Sequence, residues 1–331
     1  MAHPQIAVVG ATGAVGEQLL AALDSKEHPA QGLTLFGSER SKGAEVEYSG
    51  ESLEVEQVGP EAFVGMNSVV LACPAAVAKP LALAAQQAGA WVIDLSGAFR
   101  TELGVPLVVD ESDVLLSLPF TGRIIAVAMP TTQALFAALE PARASVGVQS
   151  LEVVGLYGAA NFGRPGVLAL EKQTAALLNA MGVEDPAVFP HRLAFNLIPQ
   201  VGAFEPRGGT SEELALKVEV ARRWGATRLG CTMLLAPFFH GTLLVISAQL
   251  ERPLDADALR TQLKAVPGVK VIDTPSEGIY PMPLLVTADP AIHIGRVRSE
   301  GKSLQLIAAL DNAGRAAEVA ASLALKFARR S

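Results

Sequence analysis

The first apolar run of the chain, Gln5–Val9, is short and β-branched, and it ends at Gly10. Behind it, Glu17–Leu23 carries its apolar residues at helical spacing. A strand, a glycine turn and a helix in that order predict the opening βαβ unit of a parallel sheet. Leu33–Phe36, Ser68–Ala72 and Trp91–Asp94 read as further strands, with Lys79–Ala88 as a helix. This alternation, sustained to about residue 128, predicts an α/β fold whose N-terminal part is a Rossmann-like, doubly wound parallel sheet. The rhythm then changes. Helices near Gln133–Leu139 and Val167–Met181 precede the extended stretches Leu193–Ile198, Cys231–Ala236, Leu243–Leu250 and His293–Val297, the pattern of a second, α+β domain. Ala313–Arg330 reads as a helix whose basic residues lie at its C-terminal end, where they complement the dipole.

Leu229–Leu250 runs 22 residues without a formal charge, long enough to cross a membrane. Pro237, His240, Gly241 and Thr242 interrupt it, so two buried strands on either side of a break are expected instead. Half of the 331 residues are apolar and 18% are charged, which excludes a disordered or coiled-coil chain. The net charge of −7 and the scattered basic residues speak against nucleic acid and anionic membranes as partners. Cys73 and Cys231 cannot form a disulfide framework, and each is expected to be a small buried hydrophobe. With no basic leader ahead of the first strand, a cytoplasmic, reduced protein without a metal site is expected.

Gly10, Gly13 and Gly16 permit a tight turn and close approach of a pyrophosphate to the N–H groups that open the following helix. The candidate cofactor residues there are Gly10, Thr12, Gly13, Ala14 and Val15. Ser38-Glu-Arg-Ser41 follows the second strand, where NAD-binding proteins place an acid on the ribose 2′-hydroxyl. Here Ser38, Arg40 and Ser41 can hold a 2′-phosphate instead, which points to NADP rather than NAD. The bland readings, a structural glycine turn and a solvated loop containing Glu39, stay open at this point.

The blocks Ile6–Gly16, Ser38–Ser41, Val92–Arg100, Val105–Val109, Leu193–Gln200 and Asp311-Asn312 resemble, in order and over nearly the whole chain, those of the aspartate-semialdehyde dehydrogenases. The resemblance implies a dinucleotide domain, 1–128 with 311–331, to which Asn312 contributes, and a substrate and dimerisation domain, 129–310. It also implies reductive dephosphorylation of an acyl phosphate through a thioester. That chemistry needs a cysteine thiolate at a helix N-terminus and a histidine to move the proton. By the same resemblance, Pro130 stands at the nucleophile, Thr242 at the histidine, Leu235 at an arginine, Gly158 at a glutamine and Ala215 at a lysine. Arg100 and Glu213 survive as substrate-binding candidates, Arg100 being suited to a small anion or equally to a surface ion pair. His240, two positions before Thr242, is a possible substitute base if the segment is a strand, because a shift of two keeps the same face.

These departures resemble the Usg-type branch of the family, which lacks the cysteine. They predict an NADP-binding homodimer with impaired catalysis and a binding or regulatory role. The alternative is an active NADP-dependent oxidoreductase on an aldehyde or acyl phosphate of aspartate-family amino-acid biosynthesis. It would work by direct hydride transfer with Tyr157, His240 or Glu213 as proton donor.

Overall fold

The computed structural model describes residues 3–59, 61–113, 122–183 and 188–329. The expected lead into the first strand at Met1 and Ala2, and the expected last helical residue, Arg330, lie outside the described residues. The chain divides into two compact units, Met1–Met129 with Ala316–Ser331, and Pro130–Arg315.

In the first unit, β1 (Ile6–Val9), β2 (Leu33–Gly37), β4 (Glu51–Gln57), β5 (Ser68–Leu71), β6 (Trp91–Asp94), β7 (Leu107–Val108) and β8 (Ile124–Val127) pair in parallel. β3 (Glu45–Tyr48) adds an antiparallel edge, and the order is β3-β4-β2-β1-β5-β6-β8-β7. Both faces of β1 are covered, so it shows no alternation. Ile6 and Val8 join Leu19 and Leu23 of α1 (Ala14–Ser25) and Leu323 and Phe327 of the C-terminal helix. Ala7 and Val9 join Ala78, Leu81 and Ala85 of α2 (Ala75–Gln87). That sandwiching is the reason a parallel strand reads as a continuous apolar run. The strand order reverses beside β1, where α/β sheets open a ligand crevice at their carboxyl ends. α2 begins four residues earlier than its periodicity suggested, directly after Pro74, and runs on through Pro80, which lies inside the helix.

The second unit contains α3 (Pro130–Val146), α4 (Gly163–Leu178), α5 (Ser211–Trp224), α6 (Ala256–Leu263) and the first residues of α7 (Asn312–Ala328). Its sheet runs β10-β9-β11-β14-β13-β12, built from β9 (Val148–Tyr157), β10 (Arg228–Leu235), β11 (Thr242–Leu250), β12 (Val269–Val271), β13 (Ile292–Glu300) and β14 (Ser303–Leu310). The uncharged run Leu229–Leu250 is thus two strands around the break 236–241, and no helix among the described residues is long and apolar enough to cross a membrane. Leu151, Val153, Leu244 and Ile246 turn inward and are buried. The opposite face presents two rows across four strands, Thr232-Val154-Val245-Ile307 and Leu234-Leu156-Leu243-Ala309. Val154 and Val245 remain 40% and 38% exposed.

The expected strand at Leu193–Ile198 does not form. The amides of Leu193 and Ala194 both donate to Gln173 Oε1, at 2.9 and 3.0 Å, and Phe195 takes φ 55°, which ends the alternation. Only Ile198 pairs, with Leu235.

Candidate functional site

In the first unit, the turn between β1 and α1 is shaped by contacts that only glycine permits. A Cβ on Gly10, at φ +90°, would stand 2.3 Å from Ala72 O, and one on Gly16 would stand 2.2 Å from Gly10 O. Gly13 caps α1 without a side-chain hydrogen bond. Thr12, Gly13 and Ala14 are exposed, and Glu17 N–H to Gly13 O, at 2.8 Å, is the first helical bond. The amides of Ala14, Val15 and Gly16 therefore open the helix at its positive end, the arrangement that holds a pyrophosphate. After β2, a 3₁₀ turn over Glu39–Ser41 is tied by Ser41 N–H and Ser41 Oγ, both donating to Ser38 O, at 2.9 and 3.1 Å. The hydroxyls of Ser38 and Ser41 lie 3.3 Å apart, and Arg40 is exposed with no ion pair among the described residues.

At the end of β6, the buried Asp94 carboxylate accepts from the Ser96 amide and hydroxyl and from Phe99 N–H. Arg100 closes the same loop, donating through Nε to Val127 O (3.1 Å) and through Nη2 to Leu95 O (3.2 Å). Its planar fork thus fixes backbone. Cys73 follows β5 and is half-buried rather than buried. Burial and the Asp94 carboxylate push its thiol up to about 11.

In the second unit, Leu235, Tyr157, Thr242 and Leu310 form one row across β10, β9, β11 and β14. All four are buried. Tyr157 donates to Glu212 Oε1 at 2.8 Å and hydrogen-bonds Thr131 of α3; burial raises its phenol well above its ordinary range, and the Glu212 charge adds to the effect. Asn161 Nδ2 donates to Gly158 O and to Thr242 Oγ1, at 3.0 and 3.3 Å, while its Oδ1 accepts from Asn312 Nδ2. Arg315, also buried, donates to Gln133 Oε1 at 2.8 Å. Gln133, Asn161, Glu212 and Arg315 were not singled out from sequence, since nothing in their local pattern marks a polar residue that will be drawn into these buried or half-buried hydrogen bonds.

α3 begins at Pro130, whose fixed φ and missing N–H suit a first helical position. Thr131, Thr132 and Gln133 behind it are buried. Gly158 lies against Phe238: a Cβ there would stand 2.7 Å from the ring and 3.0 Å from Phe238 O. The break 236–241 is held to the end of β9 by Ala159 N–H to Phe238 O (2.9 Å) and Ala160 N–H to Phe239 O (2.7 Å). His240 sits exposed in this break, not on a strand, so the face-keeping shift of two positions does not apply to it. Glu213 completes a capping box with Thr210, and its oxygens accept Thr210 N–H (2.8 Å) and Met233 N–H (3.0 Å), which commits the carboxylate to joining α5 to β10. Cys231 lies mid-strand with its thiol on Glu213 O at 3.6 Å. It too is half-buried, and burial pushes it up to about 11. No group of three or more metal-ligating side chains occurs among the described residues.

Residues 5–113 match the semialdehyde dehydrogenase NAD-binding domain, and residues 139–313 match the semialdehyde dehydrogenase dimerisation domain. The chain is 33% identical to the aspartate-semialdehyde dehydrogenase of Bacillus subtilis over 305 residues, 89% of this chain and 88% of the relative. It is 33% identical to a USG-1 protein homolog of Pseudomonas aeruginosa over 306 residues, 90% and 89% of the two chains. The crystal structure of aspartate-semialdehyde dehydrogenase II of Vibrio cholerae superposes with a TM-score of 0.91 at 27% identity, covering 100% of this chain and 99% of that one. With both domains matched in order and a third of the residues shared along nearly the whole length, the chain belongs to the aspartate-semialdehyde dehydrogenase family.

Proposed function

We propose that the chain is a dinucleotide-binding homodimer of the Usg-type branch that has lost the thioester chemistry of its family and acts as a binding or regulatory protein. The observation that carries this reading is Pro130 as the first residue of α3. The family reaction needs a thiolate there, activated by the helix dipole, and proline has no nucleophile. The chain's two thiols give no substitute: both are pushed up to about 11, opposite to the lowering that activates a catalytic cysteine. At the position of the histidine, Thr242 is buried under Asn161 and cannot serve as a base near neutral pH. Two of the three proton donors named for direct hydride transfer are committed elsewhere. Tyr157 directs its hydroxyl hydrogen bond at Glu212, and Glu213 accepts a backbone N–H at each of its oxygens.

The exposed glycine turn and the amides of Ala14–Gly16 fit a pyrophosphate, and Ser38, Arg40 and Ser41 fit a 2′-phosphate, which favours NADP. Bound there, NADP would supply a hydride-accepting nicotinamide. A small anion as second ligand would rest on Arg100. The exposed Val154 and Val245, with the partly buried Leu156, Leu234, Leu243 and Ile307 beside them on one sheet face, support a symmetric dimer that covers them. The test is equilibrium binding of NADP combined with intact-mass analysis after incubation with aspartate semialdehyde and NADP. Binding without an acyl adduct is expected, whereas an acyl thioester on Cys73 or Cys231 that forms only when NADP is present would refute the loss of thioester chemistry.

A further inference from the structure

The open face of the second unit's sheet changes character along its strands. The two rows described above are apolar apart from Thr232. The next two are polar: Gly230-Glu152-Ser247-Gln305-Arg298 and Arg228-Ser150-Gln249-Ser303-Glu300, each running from β10 across β9, β11 and β14 to β13. Arg228, Glu152, Arg298 and Glu300 supply the charge. All four are exposed, and none has a side-chain hydrogen bond or ion pair among the described residues.

Their placement is ordered. Gly230 has no side chain, and Glu152 on the neighbouring strand lies over it: a Cβ on Gly230 would stand 2.6 Å from Glu152 Cδ. The Glu152 carboxylate thus sits at the β10 border of the face, beside Arg228, while Arg298 and Glu300 stand at the β13 border. In each row the two borders carry opposite signs. They are about 19 Å apart across the strands, too far for the charges of one row to meet within the chain.

We infer that a second copy covers this face about a two-fold axis running along β11, so that Glu152 meets Arg298 of the partner subunit and Arg228 meets Glu300 of the partner subunit. β11 is the middle strand from β10 to β13. An axis along it exchanges β10 with β13 and β9 with β14, and sets every row against itself, apolar on apolar and polar on polar. Val245 then faces the partner's Val245, and each border charge faces its opposite. An axis across the strands through the middle of the face would lay the apolar rows on the polar ones. Aligned sheets stack about 10 Å apart, within the combined reach of a glutamate and an arginine. At the apolar end, a Cβ on Gly295 of β13 would stand 2.7 Å from Pro281 Cδ, so β10 of the partner subunit meets Pro281 there rather than a bare strand. Exposed ion pairs add little affinity, but like charges set face to face cost it, so the pattern selects one register for the two copies.

The inference rests on the reading that the chain is a symmetric dimer, and sedimentation equilibrium of charge-reversed variants separates the two. Wild-type chain is expected to be a dimer at micromolar concentration. Glu152→Arg and Arg298→Glu should each weaken it by about tenfold or more, because each sets like charges against one another on both sides of the axis. Mixed in equal amounts, the two variants should form a heterodimer that recovers wild-type affinity to within about threefold, since both contacts are then complementary. The chain carrying both substitutions should do the same with itself, which keeps the test decisive if a single variant fails to fold. A wild-type dimer whose affinity neither single reversal changes overturns the inference and leaves the dimer reading standing. So does a mixture, or a double variant, that associates no more tightly than the single variants. A monomeric wild-type chain overturns the dimer reading itself, and with it a second copy as the occupant of this face.

Discussion

Putting glutamine at position 158, as the resemblance places it in the family, should damage the second unit rather than restore it. The first atom added, Cβ, would stand 2.7 and 2.8 Å from two ring carbons of Phe238 and 3.0 Å from its carbonyl oxygen. These distances are well inside van der Waals contact, and the 236–241 break is tied to Ala159 and Ala160 by backbone bonds, so the ring cannot withdraw freely. Overpacking of this kind costs about 1–3 kcal/mol. A unit of the size of Pro130–Arg315 loses roughly 2–4 °C per kcal/mol, so Gly158→Gln should lower the melting temperature of that unit by about 2–12 °C. Phe238→Ala removes the opposing ring, and Gly158→Gln made in that background should cost almost nothing further, a coupling of about 1–3 kcal/mol. Calorimetric unfolding of the four proteins in the cycle measures it. Additive losses, or a Gly158→Gln variant as stable as the parent, would refute the idea that the Phe238 ring is what excludes a side chain at position 158.

Other outcomes are expected. Val245→Asp, in the middle of the open sheet face, should convert a dimer to monomers in sedimentation equilibrium at micromolar concentration while leaving the far-ultraviolet spectrum unchanged. Glu213→Ala should destabilise the fold by about 2–4 kcal/mol in chemical denaturation, because it strips the capping box of α5 and leaves Met233 N–H buried without an acceptor. Both thiols should react with iodoacetamide at pH 7.5 at least tenfold more slowly in the native protein than in the unfolded chain. Stability should also fall in alkali. Cys73 and Cys231 are raised to about 11 and Tyr48 to about 12, so above about pH 9 the unfolded chain gives up protons that the folded one retains. The stabilisation is complete below that pH and lost as pH rises through 11, readable as a falling denaturation midpoint.

The parallel half of the fold is legible because each of its inner strands is a short apolar run between glycine turns and alanine-rich helices. Its edge is not. β3 and β4 are written Glu-Val-Glu-Tyr and Glu-Ser-Leu-Glu-Val-Glu-Gln, with only Tyr48 and Val55 buried, so their charge hides them among loops. Glutamates there also discourage edge-to-edge pairing. In the second unit, Leu193–Ile198 has the composition of a strand. A buried amide twenty residues away, Gln173, captures two of its N–H groups, a long-range event that no local pattern announces. The site divides the same way. The glycine turn and Ser38–Ser41 are contiguous in sequence and can be read there. Glu213 has the look of a surviving ligand until both of its oxygens are found on backbone amides.

The central claim, that a family fold here works without its nucleophile, is tested most directly by steady-state NADPH formation from aspartate semialdehyde, phosphate and NADP with the purified wild-type chain. The expected rate is at least three orders of magnitude below the roughly 10 per second of an ordinary enzyme, with Pro130→Cys alone near the same background, since nucleophile and base act as a unit. A turnover of about one per second or more would contradict the account.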